Sequence, residues 1–305
     1  MVRYNRFLDL IIRIILPKDK RLSYIDINPR QIYMQNSQNP SLPYLRYQKE
    51  NIVIVNKVIP AEMPVTLTYN SEPWLTIMCT PNYLEALAIG FLFNEGLISS
   101  DDEVAAIRVC PSYDNVDVWL SHPIQMPVRW RHTSGCTGGT TSIEAIVPSI
   151  RSPKMSVGNT LYPPDKIFQL IENLFDQQDM YRQTGGVHTS SLTDGKGIFV
   201  TCEDIGRHNT LDKIAGRCLL DNIHLNPRIM LTTGRVSSDM LQKAIRLGAN
   251  LVISRTSPTS LSIDLAEQEG ITLIGYAHRD RFNLYTHPEA IELGSNTHPP
   301  IVTNE

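Results

Sequence analysis

The stretch from residue 198 to residue 276 constrains the fold most, because short aliphatic runs alternate there with helical patterns. The runs are 198–201, 229–232, 251–254 and 271–276. Between the first two, Leu211, Ile214, Ala215, Cys218 and Leu219 recur at helical spacing. Ser237 or Ser238 then caps a helix that ends near Gly248, and Pro258 opens another that ends at Gly270. Strand–helix alternation predicts an α/β fold, a mostly parallel sheet with helices on both faces. In such sheets ligands bind outside the carboxyl ends of the strands.

The first half reads differently. Runs 52–55, 65–69 and 74–79 predict strands, with Asn70-Ser71-Glu72-Pro73 as a turn. Thr80 and Pro81 suit the start of a helix carrying Leu84, Leu87, Ala88, Phe91 and Leu92, which Gly96 can end. Strands at 105–110 and 116–120 complete a ββαββ, α+β unit. A Ser-, Pro- and Gly-rich connection over 148–164 leads to a helix over 165–176 and then to a glycine-bearing loop, Thr184-Gly185-Gly186-Val187-His188-Thr189-Ser190-Ser191. The polar stretch 17–49 reads as linker. The division is therefore an extension over 1–50, an α+β domain over 51–155, an α/β domain over 156–291 and a tail over 292–305.

Composition narrows the function classes. A net charge of −3 over 305 residues argues against nucleic acid as a partner. Five cysteines, without CxxC or zinc-ligand spacing, are neither a disulfide framework nor a metal site, and they fit a reducing, cytoplasmic compartment. Cys79, Cys110 and Cys218 fall in core patterns. The apolar run 7–16 is short and interrupted by Asp9 and Arg13, which suits a docking helix and excludes stable membrane insertion.

Two features carry chemistry. One is the loop Arg131-His132-Thr133-Ser134-Gly135-Cys136-Thr137-Gly138-Gly139-Thr140-Thr141. Either it is a plain surface loop, or its flexible glycines and neighbouring bases present a reactive thiol. The other is the set of four strand ends: Cys202-Glu203-Asp204-Ile205-Gly206-Arg207-His208-Asn209, Thr233-Gly234-Arg235-Val236-Ser237-Ser238, Arg255-Thr256-Ser257-Pro258-Thr259 and Ala277-His278-Arg279-Asp280-Arg281. An arginine at every end, beside helix N-termini, predicts a phosphate-bearing ligand. Glu203 and Asp204 could accept from a guanine or a ribose. His188 and His208 are further candidates for ligand or anion contact, each with a purely local alternative. Trp74 and Trp130 read as packing residues.

These segments resemble the FdhD family, the formate dehydrogenase accessory sulfurtransferases. The resemblance rests on Glu203-Asp204-Ile205-Gly206-Arg207-His208-Asn209-Thr210-Leu211-Asp212-Lys213, Thr184-Gly185-Gly186-Val187-His188-Thr189, Gly234-Arg235-Val236-Ser237-Ser238, Ser254-Arg255-Thr256-Ser257-Pro258-Thr259 and Glu62-Met63-Pro64-Val65. Gly90-Phe91-Leu92 and Glu95-Gly96-Leu97-Ile98 also fit, and the match spans about 52–286. It implies a cytidine-deaminase-like α/β/α C-terminal domain and a homodimer. It also implies a sulfur carrier that takes persulfide sulfur from a cysteine desulfurase and passes it to the molybdenum bis(molybdopterin guanine dinucleotide) cofactor, for formate dehydrogenase. The persulfide-bearing cysteine falls on Cys136. The cofactor segment falls on Tyr276, Ala277, His278, Arg279, Asp280 and Arg281, with guanine or phosphate contacts assigned more loosely to Asp204, Arg207, His208, Arg235 and Ser257. GDP can mimic that cofactor.

One departure matters. Many relatives carry a second cysteine three positions after the first, where this chain has Gly139, so Cys136 must act alone unless Cys202 comes near. The competing reading is a non-catalytic cofactor chaperone for a molybdoenzyme. A zinc nucleobase deaminase needs a P-C-x-x-C to hold its metal, and none occurs here.

Overall fold

The computed structural model describes residues 39–124, 130–132, 140–142, 161–224, 226 and 228–293. The described residues from Asn39 onward fall in one compact unit. Part of the segment expected to be linker is ordered. β1 (Ser41–Gln48) pairs antiparallel with β2 (Asn51–Val58) in a ribbon of its own. The turn between them, Lys49-Glu50, takes positive φ at both residues. This is the conformation that tight hairpins need and that Asn-Gly usually signals, so the sequence carried no turn warning.

β3 (Met63–Tyr69), β4 (Glu72–Cys79), β5 (Val104–Val109) and β6 (Asn115–Leu120) form a sheet in the order β4-β3-β6-β5. Pro73 lies inside β4 rather than in the turn. It is tolerated because β4 is an edge strand and the register slips beside it. α1 (Leu84–Asn94) covers this sheet, and Trp74 meets Phe91 edge to face at 5.5 Å as a packing pair.

The α1 start differs from expectation. Thr80 does not cap the helix; Tyr83, at φ 50, stands at the N-cap. The Thr80 N–H and carbonyl are engaged by Asp204 and Lys213 instead. A cap is worth about 1 kcal/mol, less than completing a buried ion pair.

β7 (Trp130–His132) and β8 (Thr140–Ser142) pair antiparallel on either side of segment 133–139. Cys136 and Gly139 lie in that segment, outside the described residues.

The larger sheet runs β10-β9-β11-β12-β13-β14, with β9 (His188–Thr193), β10 (Ile198–Asp204), β11 (Arg228–Thr232), β12 (Ala249–Ser254), β13 (Thr272–Gly275) and β14 (Asn283–Thr286). Parallel pairing is confined to β11-β12-β13, and the flanking strands run antiparallel. The expected parallel content was too high because the segment 188–193 is a strand, not part of a loop, and because β14 follows β13. β9 is rich in Ser and Thr, which carry no aliphatic signal although they are fully buried.

α2 (Pro164–Asp176) lies on one face, with Ile167, Leu170, Ile171 and Leu174 against Ile229, Leu231, Leu251, Ile253 and Ile274. α4 (Arg207–Leu220), α5 (Ser238–Arg246) and α6 (Ser260–Glu269) cover the other, packed on Val200, Cys202, Met230, Val252 and Leu273. The short α3 (Asp179–Thr184) precedes β9. Strand alternation sends odd and even residues to opposite faces, so the two cores share β11–β13.

α1 and α4 cross at glycines. A Cβ on Gly90 would lie 1.7 Å from the Asp212 carbonyl oxygen, and one on Gly216 would lie 1.9 Å from the Ala86 carbonyl oxygen. The two halves of the chain therefore meet backbone to backbone, and α4 is held fixed beside its strands.

Candidate functional site

The strand ends form one rim. β10, β11, β12 and β13 end there, and β9 begins there, since Asp204 pairs with His188, Thr232 with Ser190 and Ser254, and Ile253 with Ile274. The loops beyond are laced together. The Arg255 N–H donates to the Thr232 carbonyl at 2.9 Å, Val236 to Ser257 at 3.1 Å, Tyr276 to Thr256 at 3.1 Å and Ala277 to Ser254 at 3.0 Å. Backbone bonds of this kind make a rigid platform.

The expected site residues divide into two groups. Asp204 is fully buried and saturated. Its Oδ2 accepts from Lys213 Nζ at 2.6 Å and from the Thr80 N–H at 3.0 Å, while Oδ1 accepts from the Gly206 N–H at 2.7 Å and from Asn209 Nδ2 at 2.8 Å. A carboxylate has about four acceptor positions, so none remains for guanine. Glu203 is likewise spent on the N-terminus of α3, accepting from the Met180 and Tyr181 N–H groups at 2.6 and 3.0 Å and from the Thr189 hydroxyl at 3.1 Å. His208 is buried beside the α5 cap, its Nε2 3.5 Å from Ser237 Oγ. Burial, followed by the charges of Lys243, Arg207 and His188, pushes its pKa down to about 2, so it is a neutral interior group and not an anion contact. Ala277 is fully buried against the α2 side and offers backbone alone.

Apart from Arg207, the remainder faces outward. Arg235, Tyr276, Arg279, Asp280 and Arg281 are exposed, and Ser257, Arg255 and His278 are half-buried. Tyr276 sits at φ 48 with its ring in solvent. Arg279 leans toward Glu172 of α2 at 3.5 Å. Arg207 is buried, its stem packed under Gly234, where a Cβ would come within 2.9 Å of its own. His188 joins the rim because β9 starts there. Burial first, then the Arg207 guanidinium, hold its pKa below the usual imidazole range; Asp204 opposes this and Arg235 adds to it. The structure thus brings Arg207, Arg235, Arg255, Arg281, His188, His278 and Tyr276 to one edge. Basic groups on fixed backbone can hold phosphates.

Sequence reading missed Lys213, the fully buried partner of Asp204. It also missed the buried Asp212–Lys243 pair, in which Lys243 Nζ donates to both carboxylate oxygens at 2.5 and 2.7 Å and Asn94 Nδ2 donates to Oδ1 at 2.7 Å. The available signal was the polar run that opens α4, buried on every side. Among the described residues no group of three His, Cys, Asp or Glu side chains could hold a metal ion, and no helix is long and apolar enough to cross a membrane.

Comparison with known proteins places the chain in a family. The FdhD/NarQ family model matches residues 60–292. The chain belongs to the FdhD/NarQ family. A Bacillus subtilis (strain 168) relative, sulfur carrier protein FdhD, is 34% identical over 248 residues, covering 81% of this chain and 95% of its own. The protein of the same name from Bacillus pumilus (strain SAFR-032) is 33% identical over 259 residues, covering 83% and 99%. The crystal structure of a formate dehydrogenase accessory protein from Desulfotalea psychrophila superposes with a TM-score of 0.65 at 27% identity, covering 83% of this chain and 99% of that one. The FdhD/NarQ match takes in every strand end of the rim and the Cys136 segment.

Proposed function

We propose that the protein is a persulfide-carrying sulfurtransferase. Cys136 accepts sulfur from a cysteine desulfurase, and the rim holds the recipient, the molybdenum bis(molybdopterin guanine dinucleotide) cofactor, on its way to formate dehydrogenase or a related molybdoenzyme. A homodimer is the working form. The family and its relatives' shared name, sulfur carrier protein, support the cargo.

The observation that carries the reading is the state of the other thiols. Burial pushes Cys79 and Cys202 up to about 12 and Cys218 up to about 11, so none supplies thiolate near neutral pH. The Cys110 thiol sits in a turn and is already engaged, donating to Asp114 Oδ1 at 2.9 Å. Cys202 lies in the core under α4 and is no relay partner, which leaves the transfer to one cysteine.

In that transfer the Cys136 thiolate attacks the outer sulfur of the donor's persulfide. The S–S bond breaks, the donor leaves as thiolate, and Cys136 holds the sulfane sulfur. Arg131 and His132 favour the thiolate form. The rim's Arg235, Arg281 and Tyr276 take the cofactor's phosphates and guanine, with Arg207 and Ser257 supporting the loops beneath.

Cys136→Ser separates carriage from chaperoning. In a strain lacking the natural protein, this variant is expected to bind GDP as wild type does and to leave formate dehydrogenase inactive. Full activation by Cys136→Ser would overturn carriage and favour the chaperone.

A further inference from the structure

Arg255 and His278 come from different segments of the rim and meet at 2.7 Å, Nη1 to Nε2. A guanidinium has donors alone, so Nε2 accepts, and the imidazole is neutral with its proton on Nδ1. Both residues are held from behind. The Arg255 N–H is bonded to Thr232 on the neighbouring strand, and the His278 N–H donates to the Arg281 carbonyl at 2.8 Å. Burial first, then the charges of Arg255 and Arg281, keep His278 below the ordinary imidazole range, while Asp280 opposes them.

Among the described residues, Nε and Nη2 of Arg255 make no hydrogen bond, and the side chain is half-exposed. A guanidinium anchored through one nitrogen keeps its remaining donors in a fixed plane, the geometry that grips phosphate oxygens in pairs. Fixing that plane beforehand removes part of the ordering cost of binding.

We propose that Arg255 is the residue that grips the pyrophosphate of a guanine nucleotide on this rim, and that His278 is its positioning partner, acting through Arg255 rather than on the ligand. The inference rests on the reading that the rim takes a guanine-dinucleotide ligand, and it names which side chain reads the phosphates.

The test is calorimetric titration of the full chain with GDP and, separately, with guanosine, each variant being checked by thermal unfolding. Arg255→Ala is expected to weaken GDP binding about tenfold or more and to leave guanosine unaffected. His278→Ala should lose most of that factor, whereas His278→Gln, whose amide oxygen can accept from Nη1, should stay within about threefold of wild type. In the Arg255→Ala background, His278→Ala should cost nothing further. GDP binding that is unchanged in Arg255→Ala would overturn the inference and leave the rim reading standing. An additive loss in the double variant would overturn the positioning role. A wild-type chain that binds neither GDP nor guanosine would remove the rim reading, and the inference with it.

Discussion

Lys213 Nζ lies 2.6 Å from Asp204 Oδ2, and neither side chain reaches solvent. The three protons of the ammonium are all used, on Asp204, on the Thr80 carbonyl at 3.0 Å and on Asn82 Oδ1 at 2.6 Å. This pair ties the end of β10 to α4 and to the segment before α1. It anchors the rim from below, shut away from solvent. Removing one partner strands a buried charge, so Asp204→Asn is expected to cost about 3 to 5 kcal/mol. The urea midpoint measures it, and Asp204→Leu with Lys213→Met together should lose less than either single change.

The helix crossing makes a second prediction. Gly90→Ala or Gly216→Ala drives a methyl into a carbonyl of the facing helix, and overpacking of a rigid contact costs about 1 to 3 kcal/mol or more. Gly197→Ala, where nothing lies within 4 Å of the added carbon, is the control and should stay within about 0.5 kcal/mol. Equal stability of all three proteins in urea would refute the close crossing.

His208 sets a pH dependence. Its folded pKa, about 2, lies below the ordinary imidazole value of 6.5. Below the latter the unfolded chain takes up a proton that the folded chain refuses. His208 therefore contributes stability that is present above about pH 6.5 and falls with decreasing pH, by up to about 1.4 kcal/mol per unit, until the folded group titrates. Urea midpoints at stepped pH should show this slope, and His208→Gln should flatten it.

Thiol accessibility follows from burial. With the chain folded near neutral pH, iodoacetamide should modify Cys136 well before Cys79, Cys202 or Cys218, whose labelling requires unfolding. Peptide mapping after a short pulse decides the matter, and early labelling of Cys202 would contradict its core placement.

Much of this was legible in the sequence. α1, α2 and α4 announced themselves by apolar spacing, α5 by its serine cap, and β11 to β13 by aliphatic runs. The rim was legible because arginines follow those runs. What was missed has a common cause, since local preference lost to distant partners. Thr80 and Pro81 carry a helix-start signal, but Asp204 and Lys213, more than a hundred residues away, claim the Thr80 backbone. Ser190 and Ser191 look like loop residues, yet their hydroxyls are satisfied by Thr210, Thr232 and Thr201 inside the sheet. Asp204 and His208 looked like ligands because polar residues after a strand usually face solvent. Here Thr80, Asn209 and Lys213 enclose Asp204, and His208 lies buried beside Ser237.

The central claim is that Cys136 carries sulfur. Incubate the full-length protein with a cysteine desulfurase and cysteine under anaerobic conditions, then weigh the intact chain and its peptides. The account predicts the added mass of one sulfur atom, removable by a thiol reductant, on the peptide containing Cys136 and none in Cys136→Ser. No added sulfur on wild type, or the same addition in Cys136→Ser, would contradict it.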